Sequence, residues 1–288
     1  MSSSLYHERF VAPVSTALEC PPKAQREALV RTQDLRVEVG ERPVLRGVTF
    51  SVMRGETVAV IGGSGCGKST LLRALIGAQA PSGGKVELLH QNLFNLDDEQ
   101  LDAVRKRFGV VFQSGALFTS MTVGGNVALP LREHTNLDEE LISIIVKMKL
   151  DMVGLRDCDD LRPSELNDGM RKRVGVARAL ALDPEVIFYD EPSAGLDPVT
   201  TGVTDQLIVD LSKELGVTSV VVTHKLESAF RIANRLVMLY EGKVRAEGTP
   251  DELRNSEDPL VRQFIEGNAE GPITFGSRSE YQADLLAK

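Results

Sequence analysis

No stretch of the 288-residue sequence approaches the roughly eighteen uninterrupted apolar residues that a bilayer-spanning helix needs, so any contact with a membrane has to run through another subunit or a surface. Cysteine is scarce. The three present, Cys20, Cys66 and Cys158, follow neither disulfide nor metal-ligand spacing, which suits a reducing cytoplasm. Positive charge is short as well: a formal net charge of −8 repels nucleic acid, and no nucleic-acid partner is expected. A secretory leader is also missing. The one mildly apolar N-terminal piece, residues 10–18, is short, follows Glu8 and Arg9, and precedes Glu19 and Cys20, a poor lipoprotein cleavage site. No internal repeat is found. With 42% hydrophobic and 26% charged residues, the remainder is ordinary for a globular protein, long enough for one large core or a core with an inserted subdomain.

One run is far from ordinary. Residues 62–70 read GGSGCGKST, a glycine, four arbitrary residues, then Gly-Lys-Ser. A polyphosphate is dense in negative charge, so the loop around it must turn several backbone N–H groups inward, and glycine lets the backbone come that close. Gly62, Gly63, Ser64, Gly65, Cys66, Gly67, Lys68, Ser69 and Thr70 are therefore the candidate triphosphate-binding set, with Lys68 reaching the terminal phosphates and the Ser69 hydroxyl placed for magnesium. The flanks agree: TVAVI at 57–61 reads as a buried strand, and STLLRALI at 69–76 as a helix stopped by Gly77. An incidental glycine-rich turn would lack that context. Cys66 is either a thiol activated by the loop's N–H dipoles or a small filler.

Folded structure is expected from near Thr32, after a mobile or loosely docked extension over 1–31. LRVEV at 35–39 and VTFSV at 48–52 alternate apolar and polar residues, which implies a small antiparallel sheet. Three further runs read as buried parallel strands, each with a polar residue at its carboxyl end: GVVF before Gln113, EVIFYDE ending in Asp190 and Glu191, and VTSVVVT before His224. Open α/β sheets bind ligands at that end. Between them, Leu141, Ile144, Ile145 and Met148 recur at helical spacing, and Met148 reads as core. Helical character over about 138–182 marks an inserted helical subdomain in an α/β fold. Past 267 the composition turns polar and glycine-rich, a tail over 268–288.

Alone, the Asp190–Glu191 pair is readily a helix N-cap followed by a dipole-compensating charge. Beside the phosphate loop it supplies the second half of a nucleotidase: Asp190 can hold magnesium and Glu191 can polarise a water.

The order of these pieces resembles the ATP-binding-cassette ATPases over residues 32–267. The phosphate loop is followed by VVFQSG, SELNDGMRKR, VIFYDEPSAGLDP and VVVTH. The resemblance implies a P-loop NTPase core of RecA-like type, a small antiparallel β subdomain and a helical subdomain over about 114–182. It implies ATP and Mg2+ as cofactors, with Ser69, Gln113 and Asp190 toward the metal and Glu191, His224 and Gln113 as catalytic residues. Asp197 would link two active sites in a head-to-tail homodimer. Asn167, Asp168, Gly169 and Met170 stand where the family's signature loop contacts the partner copy's ATP. Asp168, in place of a glycine, should weaken that contact unless it points outward or pairs with Arg171, Lys172 or Arg173. Val37 or Val39 stands where an adenine-stacking aromatic is common, so discrimination between ATP and GTP should be poor.

Locally, FQSGALFTSMTVGGNVALPLREHT at 112–135, with PSEL and GM, is similar to the ATPase subunits of Mla and Mce type lipid transporters. That likeness implies a transport-coupled ATPase on the cytoplasmic face of the inner membrane. It would move phospholipid or another hydrophobic lipid with a separate permease, received in a groove near Gln113 to Thr135, and an MCE-type lipid-binding protein. The rivals are a soluble cassette switch acting on DNA or ribosomes and a weakly active or regulatory ATP-binding subunit, the latter motivated by Asp168.

Overall fold

The computed structural model describes residues 27–273. Strand β1 (Ala28–Val39) pairs antiparallel with β2 (Arg42–Met53) and with β4 (Gly83–Leu88), and β5 (Gln91–Asn92) completes the order β2-β1-β4-β5. The expected start near Thr32 is thus corrected. Leu29 and Val30 are already buried, because Ala28 pairs with Met53 and Val30 with Leu88. Those partners lie far along the chain, so no local pattern announces them. The rest of the extension, residues 1–26 with Cys20, lies outside the described residues.

The second sheet comprises β3 (Thr57–Gly62), β6 (Phe108–Val111), β7 (Val186–Asp190), β8 (Thr218–Val222), β9 (Arg235–Tyr240) and β10 (Lys243–Gly248). Its order is β10-β9-β3-β8-β7-β6, parallel throughout except for the edge strand β10. The side-chain period of two divides each central strand between faces. Val58 and Val60 join helix α1 (Lys68–Leu75) and the antiparallel sheet in one core, where Phe188 meets Phe108 edge to face at 5.7 Å. Helix α2 (Asp98–Arg105) adds Val104 to that side. Ala59 and Ile61 face the other way, toward α7 (Leu226–Ile232), α8 (Pro250–Arg254) and α9 (Pro259–Glu266). Ile187 and Tyr189 share a third cluster with α3 (Val123–His134), α4 (Glu139–Met152), α5 (Asp168–Ala179) and α6 (Pro198–Leu215).

The helical insertion therefore shares its apolar core with one face of the sheet. Its helices begin earlier than the sequence pattern suggested. Gly124, Gly125 and Pro130 obscure α3, whose Thr122 caps it by accepting from Gly125 N and whose buried Asn126 bonds both the N–H and the carbonyl of Phe118. Helix α4 corrects the reading of Met148: its side chain is 59% exposed, as are much of Leu141 and Ile144, while Ile142, Val146 and Leu150 are buried. With apolar residues on more than half its circumference, the periodicity alone does not choose the inward face.

Gly267, at φ 69°, ends α9. Immediately beyond, buried Gln263 donates to the carbonyls of Asn268 and Ile273 and accepts from Ile273 N, so residues 268–273 are tied back to α9 rather than free. The remainder of the tail, 274–288, lies outside the described residues. Among the described residues no helix is long and apolar enough to cross a membrane.

The two faces of α4 give a stability test in the isolated chain. Ile142→Ala should cost about 2–5 kcal/mol by cavity formation, and Met148→Ala less than about 0.5 kcal/mol, read from urea midpoints.

Candidate nucleotide site

The phosphate loop leaves the carboxyl end of β3 in a conformation only glycine holds. Gly62 has φ 150°, and a Cβ there would lie 2.3 Å from the Leu239 carbonyl oxygen and 2.7 Å from Cys66 Sγ. Gly67, at φ 109°, is equally confined by Leu45 and opens α1 as its N-cap. Lys68 Nζ donates to the carbonyls of Gly62 at 2.8 Å and Gly63 at 3.0 Å, which folds the loop around its own cation. Burial pushes the Cys66 thiol up, outweighing Lys68 and the local N–H groups, so this cysteine is a packing residue and not an activated thiol.

Asp190 ends β7. Burial and the like charge of Glu191 push its carboxyl up, while Arg73 and Lys68 pull it down, so α1 and the end of β7 share one electrostatic site. Glu191 sits in the left-handed region at φ 48°, with its N–H bonded to the Val222 carbonyl at 2.9 Å. That turn presents its carboxylate to the loop after β8. His224 Nδ1 lies 2.8 Å from Glu191 Oε1, and His224 N donates to Oε2 at 3.2 Å. The carboxylate is largely buried, at 13% exposure, and the imidazole is 60% exposed. The capping alternative for the acid pair fails: the next helix, α6, is capped by Asp197, which accepts from Val199 N and Thr200 N.

Asp197 is also held below the usual carboxylate range, chiefly by the Thr200 hydroxyl. Across from it stands the start of α5. Asn167 caps that helix by accepting from Met170 N at 2.8 Å, which leaves its amide NH2 pointing outward as a donor. Asp168 pairs with Arg171 on its own helix, one of the outcomes that spares a neighbouring anion. Gly169 is there for contact: a Cβ would lie 2.6 Å from Thr200 Cγ2. Met170 packs into the helical core.

Two clefts receive part of this set, while Lys68, Glu191, His224, Asn167, Gly169 and Asp197 line neither. One of about 1140 Å³ is lined by Ser64, Gly65, Cys66, Thr70 and Arg73, with Val39 at its rim. Val37 is fully buried, so of the two candidate valines only Val39, 55% exposed, can face a base. The same cleft is lined by Tyr240 and Phe264, aromatics that the sequence reading missed because they lie far from β1 and carry no motif. The second cleft, about 610 Å³, gathers Gln113, Asp168, Lys172 and Asp190 with Ala194 and Gly195. Within one chain, Asp168 thus opens beside Gln113 and not onto the phosphate loop. Ser69 is exposed beside Lys68.

A phosphate loop, a half-buried acid pair after a parallel strand, a histidine on the second acid and a helix-capping asparagine in the inserted helices define an ATP-hydrolysing cassette. Residues 45–194 match the family model described as ABC transporter, and the chain belongs to that family. It is 44% identical, over 259 residues covering 90% of the chain and 96% of the relative, to the intermembrane phospholipid transport system ATP-binding protein MlaF of Escherichia coli (strain K12). It is 39% identical over 90% of its length, and 74% of the relative's, to the probable ribonucleotide transport ATP-binding protein mkl of Mycobacterium leprae. Among solved structures, an ATP-binding cassette in a dimeric post-hydrolysis state bound to ADP and Pi superposes with TM-score 0.70 at 32% identity, covering 77% of this chain and 98% of that one.

Asp197 gives a test that separates cap from charge. Asp197→Ala should lower the urea midpoint of unfolding measurably and Asp197→Asn much less, since asparagine also caps.

Proposed function

We propose that this ATPase subunit powers a lipid transporter on the cytoplasmic face of the inner membrane, moving phospholipid or a related hydrophobic lipid with a separate permease and an MCE-type protein. The lipid cargo rests on the likeness to MlaF, which spans nearly all of both chains. The hydrolytic role rests on one contact, the Glu191 carboxylate held by His224 at 2.8 Å.

In this reading Lys68 and the N–H groups of the loop bind phosphates. The Ser69 hydroxyl, Gln113 amide oxygen and Asp190 carboxylate are hard oxygen donors of the kind magnesium takes, and a small number suits an ion completed by phosphate and water. Bound there, it would supply charge neutralisation between the β- and γ-phosphates. Glu191, oriented by His224, takes the proton of the attacking water, a contribution of about 10²–10⁴-fold for a positioned base. The exposed edge of His224 is left to meet the γ-phosphate.

Because the start of α5 opens beside Gln113 and away from its own phosphate loop, a second copy is needed to bring Asn167 and Gly169 onto the ATP. The dimeric cassette of similar shape supports this arrangement. A groove of about 450 Å³ beside β6, lined by Phe112, Phe118, Leu129, Pro130 and Arg178, offers apolar walls for a permease helix. Arg178 shapes its floor by donating to the carbonyls of Gly115 and Ala116. A helix seated there would touch the segment that carries Gln113.

Glu191→Gln should hold an ATP-bound dimer on size-exclusion chromatography and lose at least about 100-fold in turnover. Turnover at the parental rate would remove Glu191 as the base. Asp168→Gly, which leaves Arg171 its bond to the Leu166 carbonyl, should change steady-state hydrolysis less than about threefold, because the carboxylate is already paired; a silent parent rescued by this change would favour the regulatory alternative.

A further inference from the structure

Between β7 and α6 the turn 191–197 has its carbonyl oxygens gathered by two ammonium groups from different parts of the fold. Lys172, on α5, donates from Nζ to the Ala194 carbonyl at 2.6 Å and the Glu191 carbonyl at 3.4 Å. Lys225, directly after His224, donates to the carbonyls of Ser193 at 2.7 Å and Leu196 at 3.2 Å, and to Thr201 Oγ1 at 3.0 Å. Neither forms an ion pair with a carboxylate among the described residues, although Lys172 is only 6% exposed. Burial, and then the like charge of Lys225, push the Lys172 ammonium below its ordinary range. A site that needed only packing would put a methionine or leucine there, since an unpaired buried cation is costly to place. Both cations instead hold carbonyls of one turn, those of Glu191, Ser193, Ala194 and Leu196. That turn ends at Asp197 and lies next to Glu191.

We propose that Lys172 and Lys225 are positioning residues for ATP hydrolysis: they fasten the turn 193–197 to the signature helix α5 and to the His224 loop, so that the three move as one body when two copies close on ATP. The inference rests on the reading of the chain as a dimeric ATPase and deepens it. Lys172 carries motion of the helical insertion to the turn, and Lys225 carries the turn's position to His224 and, through it, to the Glu191 carboxylate. Small displacements of a reacting group are enough to slow chemistry without loosening substrate binding.

Steady-state Mg2+-ATP hydrolysis by the full chain tests this with Lys172→Met, Lys225→Met, both together, and Lys225→Arg. The Met variants should lose about tenfold or more in kcat while KM for ATP stays within about twofold, and the double variant should be little worse than the poorer single one, as expected of residues acting as a unit. Lys225→Arg, which keeps a cationic donor, should recover most of the rate. Unchanged kcat in either Met variant, beside an active parent, overturns the clamp. So does a joint change of kcat and KM in which Lys225→Arg is as damaged as Lys225→Met, the pattern of a merely structural residue. If the Met variants do not fold, Lys172→Gln and Lys225→Gln, which retain a donor, carry the same comparison with smaller losses. A parent unable to hydrolyse ATP overturns the ATPase reading itself, a result distinct from all of these.

Discussion

The parallel register of β3, β8 and β7 is the constraint on which the site depends. Val60 lies opposite Val222, and Val222 opposite Asp190, so the phosphate loop, the acid pair and the His224 loop all leave one edge of one sheet. A hydrogen-bonded parallel ladder fixes these exits to within a residue, and a one-residue slip would turn every core side chain to the opposite face. The central strands are buried on both faces by three apolar clusters, which makes such a slip costly. Rigid strands thus carry groups that must meet at hydrogen-bond distance, while the loops between them remain open to solvent.

At that edge charge is placed in poorly solvated surroundings. Lys68 and Lys172 are buried, Asp190 is pushed toward its neutral form, and Glu191 is held by a histidine. Lys68 and Lys172 are satisfied within the chain by carbonyls, and Glu191 by the imidazole and the N–H of His224. The left-handed backbone at Glu191 belongs to the same economy of space: it turns the chain from strand to carbonyl-clamped loop within a single residue.

The relatives divide along the same line. Proteins named for phospholipid and for ribonucleotide transport share the cassette with this chain at 44% and 39% identity. The apolar groove lined by Phe112, the residue before Gln113, lies apart from the nucleotide chemistry. Asn126 supports that groove by bonding both backbone groups of Phe118, so its shape is set jointly by the helical insertion and by β6, whose Phe108, Gly109 and Val110 line it.

Much of this was legible in the sequence, because glycine spacing, β-branched runs and terminal acids are local signals: the phosphate loop, β3, α1, the Asp190–Glu191 pair and His224 all stand where their patterns put them. Tertiary structure decided what depends on distant partners. Pairing with Met53 and Leu88 drew Leu29 and Val30 into the core, and one-sided packing left Met148 outside although its spacing matched a buried stripe. Only the fold could choose Val39 over Val37, bring Tyr240 to the same cleft, or bind Asp168 to Arg171. Lys172 lies within SELNDGMRKR and Lys225 directly follows VVVTH, yet neither segment shows that they meet at one turn; that follows from the sheet order and from α5 packing against it. Sequence specifies what short-range geometry and chemistry require, whereas burial and long-range contact are properties of the assembled layers.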